Sequence, residues 1–190
     1  MLRFKQYLTN SEKPRKIGIY VGRFQPMTRA HQKLIEHLKS ISDEVFVGIV
    51  EGDNSKRKTR NFLSFEERKE LFESIIENVN FVKTNSGFIP GFIKHIGLQK
   101  QNENVEFFII AGDDRINTYQ RQFEKLKYNV TLVIKERDKV SGTATRKALK
   151  SNNYNDFKAM VAGGLDTEDV FNSLRERLMD KLRKNGDEDL

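Results

Sequence analysis

Lys16-Ile17-Gly18-Ile19-Tyr20-Val21 runs directly into Gly22-Arg23-Phe24-Gln25-Pro26-Met27-Thr28-Arg29-Ala30-His31. The first six residues form a short apolar, β-branched run, as expected of a strand buried on both faces. Gly22 and Pro26 end it in a tight loop. Leu34, Ile35, Leu38 and Ile41 then recur at helical spacing on one face. A buried strand that turns sharply into an amphipathic helix is the repeating unit of a parallel α/β sheet.

The pattern repeats along the chain. Glu44 to Val50 and Val105 to Ile110 are apolar runs of strand length, and Val130 to Ile134 is a third. Asn80 to Lys83 reads as a shorter strand. Between them lie helical segments: one opened by Ser64-Phe65-Glu66-Glu67 as a capping box and running to about Ile76, one from near Gly91 to Leu98, and one around Thr118 to Leu126. Ala144 to Leu149 and Asp156 to Val161 are two further helices. Asp166 or Thr167 caps a last one, in which Val170, Leu174, Leu178 and Leu182 recur every four residues. The expected fold is α/β: a Rossmann-like parallel sheet with helices on both faces, plus a C-terminal helical segment. Three segments follow: an N-terminal extension at 1–15, the α/β domain at 16–162, and a helix with a fraying tail at 163–190. The last helix is read as core cover, or alternatively as a dimer face.

Composition narrows the function classes. A chain of 190 residues is long enough to bury a core without disulfides. With no cysteine it has no disulfide framework, no Cys-based zinc site and no thiol nucleophile. Nothing approaches the roughly 18 apolar residues of a membrane span. The opening MLRFKQYLTNSEKPRK lacks the apolar core of a signal peptide, so a cytoplasmic setting without membrane contact is expected. The net charge of +7 favours phosphate-bearing partners, or else is a solubilising surface. Nucleic acid is the less favoured partner, because no basic-aromatic pattern of a single-strand reader stands out. The three histidines leave little room for a metal centre, and no metal ligand is assigned. His37 and His95 are read as surface or packing residues.

Two segments carry the chemistry. Thr28 and His31 stand three apart at a helix start, where a hydroxyl, an imidazole and free backbone N–H groups converge on one point. That arrangement suits the oxyanions of a reacting phosphate; the plainer alternative is a helix cap beside a packed histidine. Val140-Ser141-Gly142-Thr143-Ala144-Thr145-Arg146 again places hydroxyls at a helix start, with Arg146 three residues after Thr143. Its backbone amides, hydroxyls and guanidinium would make a second anion site, or an ordinary cap with a surface arginine. There is no G-x-x-x-x-G-K-[ST] loop, and no G-x-G-x-x-G follows the first strand.

Taken together, GRFQPMTRAH and SGTATR resemble the (H/T)xGH nucleotidyltransferase family, whose signatures are G-x-F-x-P-x-(H/T)-x-G-H and S-x-T-x-x-R. That family contains adenylyltransferases for nicotinamide mononucleotide and for phosphopantetheine, and several cytidylyltransferases. The resemblance covers residues 16 to 162. GRFQP looks most like the nicotinamide-mononucleotide branch, while SFEER, GDDR and SGTATRKAL also resemble members encoded by tailed phages. Ala30 stands where the family has Gly.

The resemblance implies that a phosphate-bearing acceptor attacks the α-phosphorus of ATP or CTP and that pyrophosphate leaves. ATP and nicotinamide mononucleotide giving NAD is the leading pair. A pantetheine-phosphate or cytidylyl reaction is the alternative, and a nucleotide-binding protein without catalysis is the reading from another class. Thr28, His31 and Arg146 would be catalytic. Gly22, Arg23, Phe24, Gln25, Gly112, Asp113, Ser141, Gly142 and Thr143 would hold the nucleotide, with Mg²⁺ carried on the ATP phosphates. Arg68 and Asp114 would face the acceptor; for Arg68 the alternative is a solvated helical arginine, and for each Asp an acidic helix cap. Lys56, Arg57, Lys58 and Arg60 would form a lid over anionic substrate, or else a merely solvated basic loop.

Overall fold

The computed structural model describes residues 13–51, 61–98, 104–112, 116–123, 128–135 and 140–185. Five parallel strands form one sheet in the order β3-β2-β1-β4-β5: β1 Arg15–Gly22, β2 Glu44–Val50, β3 Asn80–Thr84, β4 Val105–Gly112 and β5 Asn129–Lys135. The helices are α1 Arg29–Ile41, α2 Phe65–Glu73, α3 Ile89–His95, α4 Ile116–Phe123, α5 Gly142–Lys150, α6 Tyr154–Met160 and α7 Glu168–Asn185. Continuous apolar runs became central strands because both faces of the sheet are covered. Ile17, Ile19, Phe107 and Ile109 point into one core with Ile89 and Phe92 of α3. Val45, Val47, Ile49 and Ile110 point into the other, with Ile35 and Leu38 of α1 and Phe72 of α2.

Element ends differ from the sequence reading where local chemistry intervenes. Ser64 and Glu67 do form the capping box, but α2 stops at Glu73 rather than near Ile76. The third helix starts two residues before Gly91, because Pro90 in its first turn has no N–H to lose and a pre-set φ. Thr167 accepts the Val170 N–H at 3.3 Å and so opens α7.

The residues after 162 pack as part of the same body. Val161 bridges Thr28, Ala162 N–H donates to Met27 O at 3.1 Å, and the Gln32 side chain both accepts from Gly163 N–H (2.8 Å) and donates to Gly163 O. Phe171, Leu174, Leu178 and Leu182 then bury the face of α7 in the core that holds α1. Leu178 is fully buried. Leu178→Ala is expected to lower unfolding stability by about 2–5 kcal/mol in urea titrations, with activity per folded molecule unchanged.

The strand order puts the topological switch between β1 and β4, where the chain goes to β2 on one side and β5 on the other. Ligands of such sheets sit in the crevice outside the carboxyl ends of these strands. The Ile19–Ile109 register sets Gly22 and Gly112, three residues further on, level at that edge.

Candidate active site

The loop leaving β1 is built around Phe24. Its φ of 50° lies in the left-handed region, where a side chain is strained, and its ring is buried. A Cβ on Gly22 would stand 2.8 Å from that ring, so only glycine leaves room for it. The Phe24 ring packs edge-on against Tyr20, Phe72 and His31, the last at 5.0 Å between centroids and 85° between planes.

Thr28 is the N-cap of α1, fully buried, and its side chain accepts the His31 N–H. His31 closes the box in return. Its Nδ1 accepts the Thr28 backbone N–H at 3.1 Å and lies 3.0 Å from Thr28 Oγ1. A ring nitrogen that accepts an N–H cannot also carry the proton, so the neutral imidazole has its hydrogen on Nε2. The cap therefore fixes both the tautomer and, with Phe24 against its face, the plane of the ring. Thr28 and His31 are thus the two arms of a helix cap, and that cap sets the orientation of the imidazole.

Ala30 is half-buried in the first turn of α1 and is not among the positive-φ residues, which among the described non-glycines are Phe24, Asn78 and Asn152. Its methyl group therefore strains nothing in the backbone. Ala30→Gly is expected to leave turnover within about threefold and to cost up to ~1 kcal/mol of helix stability, read by steady-state rates and thermal melts. A rise above tenfold would show that the methyl crowds the phosphate.

Arg146 brings the second motif to the first. Its Nη1 donates to Gln25 O at 2.8 Å, across 121 residues of sequence, and its Nη2 donates to Thr143 Oγ1 at 3.1 Å. Arg146 is buried rather than a surface arginine. Ser141 caps α5 by accepting the Ala144 N–H at 3.2 Å. A Cβ on Gly142 would come to 3.4 Å from Gln25 O, so the start of α5 rests against the β1 loop. The first turns of α1 and α5 thus share one edge of the sheet, and both helix dipoles present their positive ends there.

Two of the expected ligands have other partners. Gln25 is buried, and its carboxamide donates to Leu63 O at 2.7 Å and accepts Leu63 N–H at 3.0 Å. That side chain ties the loop to the residue preceding Ser64 rather than facing nucleotide. Arg68 is fully buried, neither solvated nor presented to an acceptor. Its Nε donates to Ser64 O (2.9 Å), and its Nη1 donates to Arg23 O (2.6 Å) and Val50 O (3.0 Å). Burial lowers its pKa to about 10, opposed by Glu51 and Glu66; it remains a cation at neutral pH.

Arg23 is exposed after the end of β1, and Gly112 ends β4. Asp113 and Asp114 lie outside the described residues, as do Lys56, Arg57, Lys58 and Arg60 and most of the N-terminal extension. Composition did not single out Glu51, at the carboxyl end of β2, which pairs with Lys83 of β3 and accepts the Phe65 N–H at 3.4 Å. The hydrogen bond from Lys83 holds the Glu51 carboxyl below its usual range. Nor did it single out Arg29, whose Nε donates to Val161 O and whose Nη2 meets Asp166 at 3.3 Å. Among the described residues no three His, Asp or Glu side chains are grouped to hold a metal, and no helix is long and apolar enough to cross a membrane.

This geometry agrees with what the chain is similar to. Residues 19–170 match the cytidylyltransferase-like family. The chain belongs to that family. As a member of the cytidylyltransferase-like family it is a nucleotidyltransferase. The phosphopantetheine adenylyltransferase of Cupriavidus taiwanensis is 26% identical over 179 residues, covering 88% of this chain and 97% of that enzyme. The enzyme of the same name from Thermotoga neapolitana is 33% identical over 85 residues, covering 44% of this chain and 50% of that one. Among solved structures, a bifunctional NMN adenylyltransferase/ADP ribose pyrophosphatase from Francisella tularensis superposes with a TM-score of 0.62 at 20% identity, over 90% of this chain. The chain spans 54% of that larger protein. The Plasmodium falciparum nicotinic acid mononucleotide adenylyltransferase complexed with NaAD gives a TM-score of 0.52 at 16% identity, over 90% of this chain and 96% of that one. At these identities the structures establish the fold, a Rossmann-like nucleotidyltransferase domain.

Proposed function

We propose that this chain transfers AMP from a magnesium–ATP complex to a phosphate-bearing small molecule and releases pyrophosphate. The observation that carries the reading is the Arg146–Gln25 hydrogen bond, which joins both phosphate motifs at the switch point of the sheet. The acceptor phosphate is ionised at neutral pH, so its oxygen attacks the α-phosphorus without a general base. The work left to the protein is alignment and charge stabilisation. His31 Nε2–H and the first-turn amides of α1 meet the charge that builds on the α-phosphate. The start of α5, with Ser141, Thr143 and Arg146, holds the departing β- and γ-phosphates, and Arg23 stands at the rim. Magnesium arrives with the triphosphate as part of the substrate.

Phosphopantetheine is the acceptor to test first, because the Cupriavidus taiwanensis enzyme of that name aligns over nearly its whole length. Nicotinamide mononucleotide is the second, supported by the GRFQP stretch. Incubation with ATP, Mg²⁺ and each acceptor, followed by chromatography, is expected to give dephospho-coenzyme A in the first tube and NAD only weakly or not at all. NAD as the main product would reverse that order. Pyrophosphate release with CTP alone would make the donor CTP. Absence of pyrophosphate with either triphosphate across both acceptors would leave a nucleotide-binding protein on an enzyme's fold.

A further inference from the structure

We infer that Arg68 is a positioning residue of the transfer reaction, acting on His31 through the strained turn at Phe24; this rests on the reaction proposed above. Arg68 sits on α2, the helix after the β2 loop, and among the described residues its guanidinium bonds main-chain carbonyls rather than the side chains of the phosphate motifs. Its guanidinium instead gathers three main-chain carbonyls from three different elements: Arg23 at the exit of β1, Val50 at the end of β2, and Ser64 at the cap of α2. One of these, Arg23 O, belongs to the peptide unit that enters Phe24. A residue at φ 50° persists only when its surroundings over-determine it.

Three ties do so here. Arg68 holds the carbonyl before Phe24, the backbone of Leu63 holds the Gln25 side chain, and Arg146 holds the Gln25 carbonyl. Phe24 in turn stands edge-on to His31 at 5.0 Å, and Phe72, on the same face of α2 as Arg68, backs it at 5.7 Å. Arg68 Nη2 is buried with no hydrogen-bond partner among the described residues. A buried cation with one nitrogen unsatisfied is a poor choice for stability alone, since an apolar side chain of similar volume is often as good or better. The guanidinium reaches the three carbonyls from two separate nitrogens, Nε and Nη1, a spread that the single nitrogen of a lysine lacks.

The test is a cycle between Arg68→Lys and His31→Ala, with Arg68→Met as a second variant at that position. A lysine keeps the charge but cannot hold all three carbonyls. Arg68→Lys is expected to lower kcat about ten- to a hundredfold with the KM for ATP within about threefold, since misplacement by an ångström has effects of that size. In a His31→Ala background the same change is expected to lower kcat less than about threefold, because groups acting as a unit are non-additive. An equal factor in both backgrounds would overturn the inference, as would Arg68→Lys or Arg68→Met at wild-type kcat. Circular dichroism and thermal melts on each variant separate loss of fold from loss of rate. If the unmutated protein releases no pyrophosphate at all, it is the proposed function that fails.

Discussion

His31→Ala is expected to lower turnover at least a hundredfold, with little change in the KM for ATP. The imidazole is held by its Nδ1 to the Thr28 N–H, which puts the ring hydrogen on Nε2, the donor assigned to the α-phosphate in the proposed reaction. A donor aimed in advance at developing charge contributes mainly in the transition state, so its loss falls on kcat. Alanine also removes one arm of the capping box, and a cap contributes about 1 kcal/mol. His31→Gln separates the two effects. Glutamine at the third helical position is the ordinary partner in a capping box and can accept the Thr28 N–H through Oε1, but it offers no donor where Nε2 stood. The expected result is a melting temperature within about 2–4 °C of the parent, which corresponds to ~1 kcal/mol or less for a chain of this size, and turnover still down about a hundredfold. A glutamine variant with the parent's turnover would mean that His31 serves only as a cap.

Most of the fold was legible because burial on both faces leaves a plain mark: Ile17 to Val21, Val45 to Val50 and Val105 to Ile110 are apolar almost throughout, and few other elements read that way. Parallel strands then follow from the helices between them. The two candidate phosphate motifs stood out in the sequence because their residue types suit that chemistry. What could not be read was the direction of the polar side chains that hold the backbone. Gln25 looks like a ligand because a carboxamide binds bases as well as peptides, and only the fold brings Leu63 to it. Arg68 looks like a surface arginine because long cations are seldom fully buried. One signal does exist: Phe65, Arg68 and Phe72 fall at helical spacing, so the arginine lies on the apolar stripe. Arg146 stands out in its motif, but its partner does not, because Gln25 O is 121 residues away.

Arg146→Met is expected to reduce kcat/KM about a hundred- to a thousandfold, because one side chain does two things. Its charge lies at the start of α5, where the leaving phosphates would collect negative charge, and a charge-assisted fork there is stronger than neutral donors. Its Nη1 also fixes Gln25 O, and with it the turn that carries Phe24 and sets His31. Methionine fills similar space without either contact and leaves a carbonyl without its donor. That orphan costs about 1–3 kcal/mol, or roughly 2–12 °C in melting temperature. Lysine restores a point charge but cannot bridge Gln25 O and Thr143 Oγ1 together, so Arg146→Lys should recover binding of ATP more than turnover. The pattern to look for is therefore a KM for ATP raised about tenfold in the methionine variant and nearly restored in the lysine variant, with kcat depressed in both. If Arg146→Met melts early yet keeps the parent's kcat/KM, the arginine is a strut between the two motifs and the charge on the phosphates is met elsewhere, with Arg23 at the rim the next residue to replace.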